Sequence, residues 1–234
     1  MTKVGWVTMA LLLAGCGRSG IHEVRSSRSY EAVDLVGIRP GMTFPEVLRS
    51  LKERYPTYNF STETDISAGR SYVNELDATP GNSDDLIRVE FTGPHSGNKA
   101  VVIQRRQFLR NTNRVLASTL ATTLKQKYSA DFNENSDKHH WFWIFGGKRE
   151  SSDLPCGRDS DLISPLAFYS PECGVEVIAS EPTGDQDGYV DQIEIRVVDH
   201  IAGYAARKLD QKAQDEFDGM QRASTQDPNR KPDL

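Results

Sequence analysis

The chain has 234 residues, 37% of them hydrophobic and 26% charged, enough for one large domain or two small ones around an ample core. Its formal net charge is −5, which makes nucleic acid a poor partner.

Met1-Thr2-Lys3 sets one positive charge ahead of an apolar run from Val4 to Ala14. The run is too short to span a bilayer as a helix, but it has the length of an export-signal h-region. It closes on Leu11-Leu12-Leu13-Ala14-Gly15-Cys16, and Leu13-Ala14-Gly15-Cys16 resembles a bacterial lipobox. In such signals small residues let a peptidase cut before the cysteine, whose thiol carries a diacylglycerol. Residues 1–15 are therefore expected to be a lipoprotein signal peptide and Cys16 the lipidated residue. Two or three acyl chains hold a protein firmly on a membrane, whereas one binds marginally. Gly17 stands where inner-membrane lipoproteins of this type carry Asp, which points to the outer membrane, with the protein facing the periplasm. Residues 16–29 are small, polar and charged and read as a flexible tether. No later hydrophobic run approaches a membrane span.

The folded part is expected over residues 30–198, in approximate halves 30–108 and 109–198. Tyr30–Ile38 reads as a short extended segment, and Pro40-Gly41 as a turn. Thr43 with Glu46 has the form of a capping box, and Pro45 is tolerated in a first helical turn. Phe44, Val47, Leu48, Leu51 and Tyr55 recur at helical spacing, which predicts a helix ending before Pro56. Strand-like runs follow at Ser71–Ala78, Leu86–Thr92 and Lys99–Arg105. Turns at Thr79–Asn82 and Gly93–Asn98 make them an antiparallel meander.

The second half keeps the same order. A helix is predicted over Asn111–Tyr128, with Leu116, Leu120, Leu124 and Tyr128 in one row. Strands follow at His139–Phe145, Val175–Ser180 and Tyr189–Val198. From Asp199 to about residue 222, a third helix places Ile201, Ala205, Leu209, Ala213, Phe217 and Met220 near one stripe. That stripe fits either a sheet or a partner. Residues 223–234 are polar and read as a disordered tail. The expected class is α+β: helices packed on an antiparallel sheet, in two tandem helix-plus-strands units with a C-terminal helix.

Asp34-Leu35-Val36-Gly37-Ile38-Arg39-Pro40-Gly41-Met42-Thr43-Phe44-Pro45-Glu46-Val47-Leu48 carries a family resemblance. It resembles the G-M-[ST]-x-x-[EQ]-V helix start of the SmpA/OmlA (BamE) outer-membrane lipoproteins and of the β-lactamase-inhibitor-protein-like fold. The resemblance implies a helix packed on an antiparallel sheet. The inhibitor proteins carry two such units in tandem and bind enzymes through a concave sheet face. It covers 15 of the 234 residues and carries no functional residue over.

His139-His140-Trp141-Phe142-Trp143-Ile144-Phe145 is the most unusual stretch. In a strand, His140, Phe142 and Ile144 face one way and His139, Trp141, Trp143 and Phe145 the other, so both faces are apolar. Trp141, Phe142 and Trp143 are the candidate partner-binding residues, because exposed aromatic rows make hot spots; the alternative is a strand buried on both faces. His139 and His140 diverge and do not share a metal, and neither metal nor cofactor is expected.

Asp84-Asp85, Asp159-Asp161 and Asp185-Asp187 read as turn residues rather than calcium ligands. Arg105, Arg106, Arg110 and Arg114 form a basic cluster that reads as a solvated face, with anionic lipid or an acidic partner as the alternative. Cys156 and Cys173 remain once Cys16 is lipidated, and an even pair in an exported protein points to a disulfide closing about 18 residues, worth roughly 3 kcal/mol. The sequence contains no G-x-S-x-G, Walker loop or HExxH. The expected function is a non-enzymatic envelope lipoprotein, held to the membrane by its N-terminal lipid, that binds another envelope protein or assists assembly. The second reading is a periplasmic inhibitor or immunity protein that captures an enzyme.

Overall fold

The computed structural model describes residues 33–81, 84–109, 114–128, 133–135, 140–146, 169, 171–180 and 188–225. The signal, the tether, Cys16, Arg110, His139, Cys156, Asp159-Asp161, Asp185-Asp187 and residues 226–234 of the tail lie outside the described residues, whereas Ala223-Ser224-Thr225, expected in the disordered tail, are the last turn of the C-terminal helix.

Helix α1 spans Phe44–Arg54. Its start follows the capping logic: the Thr43 backbone N–H and hydroxyl both donate to Glu46 Oε2, each at 2.8 Å. Those two bonds hold the exposed Glu46 carboxyl below its ordinary range. Val47 and Leu51 are fully buried, and Phe44 meets Phe91 edge-on at 5.7 Å. Helix α2 spans Ala117–Tyr128 and buries Leu120, Leu124 and Tyr128. It begins six residues later than its periodicity suggests. Val115–Leu116 is instead a short strand, β5, paired with β9, Tyr189–Val190. Leu116 is exposed and does not extend the helical row.

The remaining strands are β1 Asn59–Ser67, β2 Arg70–Thr79, β3 Asp85–Phe91, β4 Ala100–Phe108, β6 Asn133–Asn135, β7 His140–Phe145, β8 Val175–Ser180 and β10 Gln192–Asp199. They form one eight-stranded sheet in the order β1-β2-β3-β4-β10-β8-β7-β6. Every pairing in it is antiparallel. The class expected from the sequence is therefore the one observed: helices on an antiparallel sheet, with a C-terminal helix. Each half gives one helix and four strands of this sheet, and the halves meet where β4 pairs with β10. Read outward from that seam, both units run fourth, third, second, first strand.

One face of the sheet carries Leu76, Ile87, Val89, Ile103, Val197, Val177 and Trp143, and α1 and α2 close over it to form the main core. Register places Val89 opposite Ile103, Ile103 opposite Val197, and Val177 opposite both Val197 and Trp143, so the apolar rows are continuous across the seam. Burying a side chain of this size stabilises by about 1.5–3 kcal/mol. Helix α3 spans His200–Thr225 and lies on the opposite face, where Ala202 and Tyr204 pack on Val101, Val102, Val198 and Tyr169.

Further elements differ from expectation, β1 and α3 among them. Strand β1 reads Asn-Phe-Ser-Thr-Glu-Thr-Asp-Ile-Ser and has no apolar alternation, because it is an edge strand whose side chains are mostly exposed. The α3 stripe is also different. Ile201, Leu209 and Met220 are 47%, 53% and 65% exposed, and Ala205 is exposed too. The inward row is Gly203, Ala206, Asp210, Ala213 and Phe217: Ala213 and Phe217 belong to the expected stripe, and Gly203, Ala206 and Asp210 take the places of Ile201, Ala205 and Leu209.

Candidate functional site

The second face of the sheet is covered by α3 at one end, and beyond α3 it is built from charged cross-strand rows. One row runs Asp77, Arg88, Gln104, Arg196 across β2, β3, β4 and β10. A neighbouring row carries Arg106 opposite Glu194. Arg88 forks onto Asp77, Nε to Oδ1 at 2.9 Å and Nη2 to Oδ2 at 2.8 Å, and its Nη2 also lies 3.1 Å from Glu75 Oε1. The two carboxylates raise the Arg88 pKa further above its ordinary value, with the Asp77 hydrogen bond the leading cause. Glu194 accepts from Gln104 Nε2 at 2.8 Å, Arg106 Nε at 3.2 Å and Arg196 Nη2 at 3.2 Å. The face is thus acidic around β2 and basic around β4 and β10.

Glu90 sits inside this surface, opposite Glu75 in register. Burial, then repulsion from Glu75, pushes its pKa up to about 7. Its Oε2 is buried without a hydrogen-bond partner, as is Arg196 Nε. Near the α3 start, Glu176 is 2% exposed and its Oε2 lies 3.1 Å from His200 Nε2. The Tyr169 ring meets His200 edge-on at 6.1 Å.

Among the described residues no group of three or more His, Cys, Asp or Glu is placed to hold a metal. Asp77, Asp85 and Glu194 are tied to arginines by charge-assisted bonds, whereas Glu176 meets His200 and Glu90 Oε2 has no hydrogen-bond partner. The charge-assisted bonds hold these side chains in fixed positions on the face.

The residues singled out from the sequence are placed differently. Trp141 and Trp143 are 3% and 2% exposed and lie in the main core, with the Tyr128 ring of α2 tilted against Trp143 at 5.3 Å. They are packing residues and present no docking row; α2 covers the face they share. The Phe142 side chain is not among those described. Cys173 is fully buried at a short 3-10 turn, Pro171–Cys173, and is disulfide-bonded. Asp85 is not a turn residue: it is buried, accepts from Arg105 Nε at 3.0 Å and from the Tyr58 hydroxyl at 2.8 Å, and forms the tightest part of a bidentate pair with Arg105. Burial, with that bond, pushes the Tyr58 pKa up to about 12.

The basic cluster is dispersed rather than solvated as one face. Arg105 pairs with Asp85, Arg106 with Glu194 and Arg114 with Asp191 at 2.8 Å. The residues that build the charged face were missed in the sequence. Arg88, Glu90, Glu194 and Arg196 are the polar half of alternating strands, and alternation alone does not say which polar rows adjoin.

Comparison with protein-family models, curated proteins and solved structures returns no match to this chain. The resemblance over residues 34–48 therefore stands on that motif and on the helix-plus-four-strands order. Among the described residues no helix is long and apolar enough to cross a membrane.

Proposed function

We propose that the chain is a non-enzymatic lipoprotein of the outer membrane, facing the periplasm, that binds another envelope protein through the charged part of its second sheet face. Cys16 is the acylated residue, residues 16–29 are the tether, and Cys156 is the partner of Cys173. The observation that carries the binding reading is the charged surface made by Asp77, Arg88, Gln104, Arg106, Glu194 and Arg196, which is pre-ordered by its own ion pairs. A surface with an acidic and a basic half suits a partner of complementary polarity, because such complementarity sets register and rejects wrong partners. In this class the protein acts as an accessory of an envelope assembly.

A second reading is favoured by one observation. Two helix-plus-four-strand units share a single sheet, which parallels the tandem plan of the inhibitor proteins that the motif resembles. In that reading the same face captures a periplasmic enzyme. An accessory copurifies with membrane proteins, and its deletion weakens the outer membrane. An inhibitor binds one soluble enzyme and has no growth phenotype until that enzyme is present.

The anchor is tested separately. Cys16→Ser should leave an unprocessed precursor on gels, and normal maturation of that variant contradicts lipidation. Mass spectrometry of the non-reduced protein should show Cys156 and Cys173 in one linked peptide pair, and two free thiols contradict the pairing.

A further inference from the structure

Helix α3 is held to the sheet along its inward row. Asp199 Oδ1 accepts from the Ala202 N–H at 2.8 Å, which caps the first turn. The Tyr169 ring lies against the backbone at Gly203, where a Cβ would overlap it. The Asp210 carboxylate accepts from the Gly93 N–H at 3.1 Å, the His95 N–H at 3.1 Å and the Ser96 hydroxyl at 2.6 Å. Gln214 Oε1 accepts from the Ala68 N–H at 2.7 Å, and the Phe217 ring rests on Gly69, where a Cβ would stand 3.0 Å from it. These contacts fix which way the rest of the helix points.

A separate stripe of α3 is exposed. Ile201, Ala205, Leu209, Lys212, Glu216 and Met220 recur at intervals of three and four residues, and each is exposed. Of the seven large apolar side chains exposed among the described residues, three lie in this stripe: Ile201, Leu209 and Met220. Near its middle Lys212 Nζ stands 3.8 Å from Glu216 Oε1. Gly219 falls in the same stripe, one turn beyond Glu216. Glycine is the poorest helix former after proline. At Gly203 the Tyr169 ring explains it, but at Gly219 an added Cβ would meet nothing within 4 Å. The single chain has no packing reason for a bare stretch of helix backbone at that point.

We propose that this stripe is the contact between two copies of the chain, with the two α3 helices antiparallel and the two-fold axis at the level of residue 214. Lys212 of each copy then stands level with Glu216 of the other, Leu209 with Gly219, and Ala205 with Ala223. The bare backbone at Gly219 seats the Leu209 side chain of the second copy, with Met220 beside it. The small Ala205 and Ala223 let the helices stay close toward the ends of the contact. The charges are self-complementary in this direction alone, because parallel helices in register would set Lys212 on Lys212 and Glu216 on Glu216. Such a contact is isologous and closes as a dimer. It leaves α3 seated on the sheet and uses no residue of the charged face, so it does not depend on the partner reading. One helix from each copy makes a small interface, and the dimer is therefore weak and concentration-dependent.

Sedimentation equilibrium of the full processed chain in density-matched detergent tests the contact with no other protein present. A reversible monomer–dimer equilibrium is expected. Every substitution acts twice in a two-fold dimer, so Leu209→Gln and Glu216→Lys should each weaken it at least about tenfold. Combining Lys212→Glu with Glu216→Lys re-forms the crosswise pairs with their signs exchanged and should restore the affinity to within about threefold. Gly219→Gln enters open space in the single chain and should raise its helix content, yet it fills the seat of Leu209 and should weaken the dimer about tenfold or more. The proposal is overturned if the chain is monomeric up to about 1 mM. It is equally overturned if a dimer forms that Leu209→Gln and Gly219→Gln leave unchanged, or if the double charge exchange is no better than Glu216→Lys alone. A monomeric chain that captures an envelope protein lost on Leu209→Gln gives the stripe to that protein and overturns it too. Failure of the charged face to capture a partner would leave the dimer result standing.

Discussion

Helices α1 and α2 lay Val47, Leu51, Leu120 and Leu124 on strands whose inward side chains are apolar, whereas α3 lays Gly203, Ala206 and Asp210 on the other side of the same strands. The first contact is an area effect: non-directional, summed over many side chains, and lost only when much of it is lost. The second depends on position. Three close approaches, Tyr169 on Gly203, Asp210 on Gly93 and Phe217 on Gly69, set where the helix lies, and each is vulnerable to a single substitution. One sheet thus has two faces whose covers are held by different kinds of contact.

Substitutions on the two sides should separate these modes. Trp143→Ala, in the main core beneath α2, should cost about 3–5 kcal/mol and lower the cooperative denaturant midpoint of the whole chain. A loss below about 1 kcal/mol would mean that the α2 side is loosely packed. Gly203→Val forces the Tyr169 ring aside and should cost about 1–3 kcal/mol. That loss should appear as fewer protected α3 amides before any change in the strands; a simultaneous loss of strand protection would make α3 part of the core.

Glu90 gives the second face a pH dependence. Its folded pKa of about 7 is raised above the ordinary 4.5, chiefly by burial. A raised carboxyl contributes stability that is full below pH 4.5 and is lost as pH rises through about 7. Solvent still reaches part of the group, so the loss expected between pH 5 and pH 8 is about 1–2 kcal/mol rather than the full shift. Glu90→Gln should therefore be more stable than the natural chain at pH 8 and nearly equal to it at pH 4.5, by urea titration. The same midpoint difference at both pH values would contradict the assignment.

The smallest effect is expected at the β1–β2 turn, where Ala68 and Gly69 have φ of +47° and +75°. Asn tolerates that left-handed region better than Ala, and Asn-Gly is the preferred pair for such a hairpin. Ala68→Asn should raise the melting temperature slightly, by about 0.5 kcal/mol of added stability. A decrease would mean that the Ala68 methyl packs against something the strain argument leaves out.

The same contrast explains what could be read from the sequence. Helix α1 was legible from its capping pair and its spacing, and β3 and β10 from apolar alternation, because each buries one apolar stripe. Alternation in β7 correctly grouped Trp141, Trp143 and Phe145 on one side, but it is symmetric and did not say which side α2 covers. Strand β1 was not legible, because an exposed edge needs no apolar residues. The α3 inward row was only partly legible, at Ala213 and Phe217, for a related reason: a search for large apolar residues passes over Gly203 and Asp210, which dock by close approach and by accepting bonds. The charged face left no local signal. Glu194 lies about 90 residues from both Gln104 and Arg106 in sequence, and only the register of β4 against β10 brings them together.

The most direct test of the charged face as a binding surface is quantitative affinity capture from solubilised envelopes. The natural chain should be compared with Arg106→Glu, which reverses one charge of the basic half, and with Leu209→Gln on the far side of α3. If the face binds, one protein should be retained in near-stoichiometric amount by the natural chain and by Leu209→Gln, and lost from Arg106→Glu that is folded by circular dichroism. Equal retention by all three, or loss caused by Leu209→Gln instead, would place the contact elsewhere and contradict the proposed function.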